Sequence, residues 1–228
     1  MNRALYAAAA GMALQQQNLE TIAQNLSGAD TAGFKGASAS VDGTRTMFAQ
    51  GKLMRGGGGF DVAIDGEGFF AVRDAHGKTA YTRDGEFSRA ADGSLRNAAG
   101  WKLEGVRIPG AALSVSVAED GTVSAIAPRG TRIPCGRIRL TEFTAPEFLR
   151  SSGGTLFFAT HEAGKPRSID PGAPGGPAIR FGMLEQSNVT IVEAMMEILA
   201  AQRAYEANAK GVQAADEMMR IADNLSRG

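Results

Sequence analysis

Apolar residues recur every seven positions at the two ends of the chain and follow a different pattern between them. Near the start, Leu5, Met12, Leu19 and Leu26 carry this spacing, with Ala8 and Ile22 at intermediate positions of the same stripe. Such spacing gathers side chains on one helical face, and it predicts a helix up to about residue 27 with a coiled-coil-like seam. Gly28 follows the last seam residue, where a left-handed cap conformation costs glycine least, and Asp30-Thr31-Ala32-Gly33 continues as turn. At the far end Ile191, Ile198, Tyr205, Val212 and Met219 repeat the spacing, with Met195 and Ala209 between them and polar Gln202 and Asp216 interrupting. Thr190 and Glu193 stand where a capping box would satisfy the first unpaired backbone donors, so a second helix is predicted from about residue 190. Glu206 with Lys210, Asp216 with Arg220 and Asp223 with Arg227 place acid before base one turn apart, which favours a long, continuous helix.

Between the helices the period changes. Gly56 to Gly59 read as a flexible joint, because glycine has no side chain to pack and wide backbone freedom. After it, Asp65-Gly66, Asp84-Gly85, Asp92-Gly93 and Asp120-Gly121 punctuate short apolar runs: Phe60 to Ile64, Phe69 to Arg73, Leu113 to Ala118 and Arg137 to Phe143. Runs of this length between turn residues predict hairpins. The stretch from Gly164 to Pro177 is crowded with Pro and Gly and reads as irregular loop. The expected class is α+β. The expected organisation is an N-terminal helix and turn (1–35), a linker with the glycine joint (36–60), a β-rich domain (61–185) and a C-terminal helix (186–228).

Composition narrows the function. The chain has 228 residues, 43% hydrophobic and 21% charged, with a formal net charge of zero, so long-range attraction to nucleic acid or an anionic membrane is not its mode of binding. The apolar start is broken by Gln15, Gln16, Gln17 and Asn18, which is too soon for a cleaved signal or a membrane span, and no membrane insertion is expected. One cysteine, Cys135, cannot form an internal disulfide, and His76 and His161 lie far from it without metal-ligand spacing. Asp65 with Glu67, or Asp84 with Glu86, could be imagined as the acid and base of a cell-wall glycan hydrolase. Each aspartate precedes a glycine, however, where its carboxylate can bond the turn backbone, and that reading is the stronger. The glycine run lacks the lysine of a phosphate loop, and Gly66-Glu67-Gly68-Phe69 fails the dinucleotide fingerprint.

Two amphipathic helices must bury their stripes against something, since isolated helices are marginal in water. They could pair with each other as an intramolecular hairpin. Between Arg3 and Glu20, however, the first helix has almost no charge, and Ala7 to Gly11 put small apolar residues all round it. A helix of that kind suits packing by several neighbours, as in an assembly.

The motifs then become specific. Asn25-Leu26 followed by Thr31-Ala32-Gly33-Phe34-Lys35, the segment from Asp61 to Phe70, Tyr81-Thr82-Arg83-Asp84-Gly85-Glu86-Phe87 and Asp92-Gly93-Ser94-Leu95 resemble the flagellar rod and hook family of axial proteins. So do Leu184-Glu185-Gln186-Ser187-Asn188-Val189, the run from Gln202 to Lys210, and Ala215-Asp216-Glu217-Met218, and the resemblance extends from end to end. Ile108-Pro109, Ser114 to Val117 ahead of Asp120-Gly121-Thr122-Val123, and Gly153 to Phe157 are most similar to the distal-rod branch, with the proximal-rod branch next; the connection from Gly36 to Phe48 is shorter than distal-rod relatives usually carry. The resemblance implies a structural subunit with no catalytic site and no cofactor, polymerising helically with copies of itself into a shaft that passes torque to the hook. It implies terminal helices paired in an axial domain, and as partners other rod and hook proteins, the flagellar export apparatus and the surrounding envelope rings. The implied place is the rod of the basal body in the periplasmic space, reached without a cleaved signal. The residues expected to carry assembly are Leu5, Met12, Leu19, Ile22, Asn25, Leu26, Gly33, Phe34, Asn188, Ile191, Ile198, Tyr205, Val212 and Met219.

Overall fold

The computed structural model describes residues 3–40 and 43–226; the side chains of Leu5, Ala8, Asp216, Met219, Asp223 and Arg227 lie outside the described residues. The chain divides into two compact units, one of residues 1–27, 36–45 and 189–228, the other of residues 28–35 and 46–188.

The first unit is built on two helices, α1 (Arg3–Ser27) and α2 (Ile191–Ser226). They pack through Ile22, Ala194 and Ala201, with Leu19, Leu26, Val189 and Ile198 partly buried around them. Further along, a Cβ on Gly11 would come within 2.9 Å of the Asn208 side chain, so the start of α1 meets the later part of α2 and the helices run antiparallel. The intramolecular pairing left open by the sequence is therefore formed. Thr190 caps α2 as expected: its hydroxyl accepts the Glu193 N–H at 3.3 Å and bonds the Glu193 carboxylate at 2.6 Å. Near the end of α1, the Asn25 side chain bonds both backbone groups of Ala37, at 2.7 and 2.8 Å. That residue opens the strand Ala37–Ser40, which pairs with Gly43–Thr46.

The second unit is β-rich, so the α+β class holds. Its main sheet runs Ser114–Val117, Thr122–Ile126, Arg132–Arg137, Lys102–Arg107, Phe69–Arg73, Thr79–Thr82, Leu156–Phe158, Arg150–Ser151, with all of these neighbours antiparallel. One face buries a core of Ile64, Phe70, Leu103, Ile108, Ile138 and Leu140, and Cys135 sits in this core as a small apolar residue. A second cluster gathers Phe69, Tyr81, Phe143 and Phe157 with Phe48 edge-on to two of these rings. The predicted run from Arg137 to Phe143 is two strands, Arg132–Arg137 and Leu140–Glu142, because Ile138 leaves the ladder to fill the core. The loop predicted from Gly164 to Pro177 contains a strand, Arg167–Ile169, paired with Leu140–Glu142.

The glycines act differently from the expectation at two places. Gly28 takes no left-handed conformation; the Phe34 ring lies 2.4 Å from where its Cβ would stand, and Gly33 is the left-handed residue, at φ +67°. Gly56 to Gly59 lie inside the second unit, folded around the Asp61 carboxylate, which accepts the Gly58 N–H at 2.6 Å.

Candidate functional site

Three charged side chains from distant parts of the sequence meet inside the second unit. Lys35 and Glu185 have fully buried side chains, and the lysine Nζ lies 2.6 Å from Glu185 Oε1. The same ammonium donates to the Ala49 carbonyl at 2.7 Å, and Glu185 Oε1 also accepts the Gly51 N–H at 2.8 Å. Arg83 Nε forms an ion pair with Glu185 Oε2 at 3.2 Å, while its two terminal nitrogens donate to the Gly68 and Gly66 carbonyls at 2.9 and 2.8 Å. The two cations offset part of the desolvation penalty of the buried carboxylate, whose Oε2 meets Arg83 as an ion pair but accepts no hydrogen bond among the described residues. Burial is the larger influence on both bases: it holds Lys35 and Arg83 below their usual values, against the attraction of Glu185.

The local backbone delivers these groups. Gly33 donates its N–H to the Glu185 carbonyl at 2.7 Å, and a Cβ there would stand 2.2 Å from the Asp84 nitrogen. Phe34 packs over Gly28, and the next residue, Lys35, is buried. Glu185 ends the strand Met183–Glu185, paired with Leu53–Arg55, and just beyond it Asn188 donates to the Met47 and Ala49 carbonyls at 2.7 and 3.3 Å.

The helical candidates divide by burial. Ile22 and Asn25 are buried, and Met12, Leu19, Leu26, Ile198 and Val212 are half-buried. Ile191 and Tyr205 are exposed, and the buried line of α2 runs instead through Ala194, Ala201 and Ala215. Outside that line α2 presents Val192, Met195, Met196, Leu199, Met218 and Ile221 to solvent, with Val192 68% exposed.

The two aspartates among the carboxylates weighed as catalytic are engaged otherwise. Asp65 pairs with Arg180 at 2.9 Å, and Asp84 accepts the Glu86 N–H at 2.9 Å in its own turn. Asp92 accepts from the Ser94 hydroxyl and N–H, and Asp120 from the Thr122 N–H and hydroxyl, which pulls both below the usual carboxylate range.

Residues 5–35 match the family described as flagella basal body rod protein, residues 63–125 the flagellar hook protein FlgE/F/G D1 domain, and residues 181–225 the flagellar basal body rod FlgEFG protein C-terminal. The flagellar basal-body rod protein FlgG of Borreliella burgdorferi is 35% identical, with all of both chains covered. The chain belongs to the flagellar basal-body rod protein family. FlgG of Agrobacterium fabrum is 32% identical over 96% of this chain and 97% of its own, and FlgF of Salmonella typhimurium is 33% identical over 99% and 98%. A rod protein is structural, so the chain is not an enzyme and the glycan-hydrolase alternative falls. Each of the three family matches contributes one member of the ionic cluster: Lys35, Arg83 and Glu185. All three residues stand within the sequence motifs, which give none of them a role. Lys35 and Glu185 are 150 positions apart, and no periodicity links residues at that separation.

Proposed function

We propose that this chain is a structural subunit of the flagellar basal-body rod, of the distal-rod type, polymerising helically with copies of itself and meeting other rod and hook proteins at the ends of the shaft. The observation that carries the reading is the second apolar face of α2: Val192, Met196 and Leu199 stay exposed after α1 has covered Ala194 and Ala201. Large apolar side chains in a row on a helix are costly in water and mark a surface that another chain covers. In the polymer, α1 and α2 form a coiled-coil-like axial domain, with Ile191 and Tyr205 at subunit contacts and Leu19, Ile22, Leu26, Ile198 and Val212 holding the pair. Gly33, Phe34 and Asn188 belong to the anchor of the β-rich unit. The subunit passes unfolded through the export apparatus without a cleaved signal, assembles in the periplasm, and turns within the envelope rings. Similarity to FlgF over nearly the whole chain favours the proximal rod as the second reading.

The test is a strain whose only copy carries Leu199→Asp. A carboxylate on the outward face leaves the helix pair intact but cannot be buried against a neighbour without a cost of several kcal/mol at each contact. Completed rods should vanish from purified basal bodies while the isolated protein melts as the parent does. Normal rods would overturn the interface. Rescue of a strain lacking the proximal-rod protein, but not of one lacking the distal-rod protein, would select the second reading.

A further inference from the structure

Two uncovered surfaces of this chain carry opposite charge. The first is the outer face of α2. Over residues 191–202 the only charged side chains are Glu193 and Glu197, one helical turn apart and both exposed. They run beside the exposed Val192, Met196 and Leu199, and Glu197 has no ion pair among the described residues. The next charge along the helix is Arg203, beyond this apolar line.

The second surface is the ribbon formed by Leu53–Arg55 and Met183–Glu185. Met54 stands opposite Leu184, and the ladder extends to Lys52, whose carbonyl accepts the Gln186 N–H at 2.9 Å. Side chains alternate along a strand, so Lys52, Met54 and Leu184 share the face turned away from the buried Glu185. Met54 is 43% exposed, and Lys52 and Arg55 are exposed without an ion pair among the described residues. The only acid in residues 46–60 and 181–190 is the buried Glu185, so the charge this ribbon shows to solvent is positive. At its end the Gly56 N–H donates to the Gly182 carbonyl at 2.9 Å, and a Cβ on Gly182 would meet nothing within 4 Å, which leaves open space beside the Met54–Leu184 pair.

The surfaces agree in length and in sign. Val192 to Leu199 covers about 10 Å of helix axis, and Lys52 to Arg55 about 10 Å of strand. Two ribbons brought together would set Lys52 and Arg55 against their own kind, and two α2 faces would do the same with Glu193 and Glu197, so each surface suits the other and repels its own copy. We propose that the outer face of α2 docks on the ribbon of a second copy of this chain, where Val192, Met196 and Leu199 cover Met54 and Leu184 while Glu197 meets Lys52. Because the joined surfaces differ, the contact repeats head to tail, as a helical polymer requires. It rests on the assembly reading above and names the counter-surface of α2.

The test is disulfide trapping in basal bodies purified from a strain that makes two versions of the full chain, one with Met54→Cys and the other with Leu199→Cys. Cys135 is buried in both and stays out of the reaction. Oxidation should join unlike chains through positions 54 and 199, and since each chain carries one of the two new cysteines, that bond bridges two copies. Bonds between two Leu199→Cys chains in its place would overturn the proposal. Lys52→Glu in the first chain, or Glu197→Lys in the second, should lower the yield about tenfold, and the two together should restore it; a yield that neither change moves, or that the pair does not restore, counts against the docking. If the Met54→Cys chain does not enter rods, Leu184→Cys replaces it with the same bond expected. Rods lost with Leu199→Asp but no bond from 199 to the ribbon would keep α2 as an interface and overturn the ribbon as its partner. The bond together with normal Leu199→Asp rods would support the docking and overturn the assembly role of that face.

Discussion

Glu185 is the residue on which the second unit turns. Its carboxylate pairs with both Lys35 and Arg83, and it also holds the Gly51 N–H. Glu185→Gln leaves the buried Lys35 and Arg83 without their ion-pair partner and should cost about 3–5 kcal/mol. Lys35→Met keeps the Arg83–Glu185 pair in balance and should cost clearly less. Urea unfolding followed by the single tryptophan, Trp101, which packs against the main core, reads this difference directly. Equal losses would show that the ammonium and the carboxylate matter only for packing. The residues of this cluster were visible in the sequence as motif letters. Their partnership was not, because an ion pair between positions so far apart leaves no local pattern.

At the scale of elements, both helices and their approximate limits follow from the seven-residue spacing and the Thr190 cap, which are local properties. The spacing does not by itself say which face of α2 is buried first, since two apolar lines run side by side along it. The structure gives the inner line to alanines, because Ala194 and Ala201 let α1 approach closely, and leaves the larger side chains outside. Ala201→Leu should therefore overpack the seam against Ile22 and cost about 1–3 kcal/mol, while Leu199→Ala should change stability by no more than about 0.5 kcal/mol. Thermal melting followed by helical circular dichroism checks both, and the reverse ranking would exchange the two faces. Among the strands, regular runs such as Phe69–Arg73 were legible. Met183–Glu185 and Leu53–Arg55 were not, since these short segments become strands only by pairing with each other.

For the molecule as a whole, the division of the chain has a consequence for what folds alone. A fragment of residues 61–185 keeps the main sheet but loses Leu53–Arg55, Gly51 and Lys35, so Glu185 would be left with Arg83 only. A fragment of residues 28–188 retains all of them and should unfold cooperatively at a midpoint several degrees higher, about 2–4 °C for each kcal/mol recovered. Calorimetry on the two fragments distinguishes them, and identical midpoints would mean that the anchor adds nothing to the sheet.

The class, the two long helices and the turns at Asp92 and Asp120 were written in the order of residues, because periodicity, capping and side-chain-to-backbone turns act over a few positions; the likeness to the rod family was carried by motifs and not by these patterns. Tertiary structure alone decided that the glycine run encloses a carboxylate, that Gly33 rather than Gly28 takes the left-handed turn, and that Lys35, Arg83 and Glu185 share one buried site. Each of these depends on which distant segments come within a few ångströms, and burial, not local order, sets the energy of the charges found there.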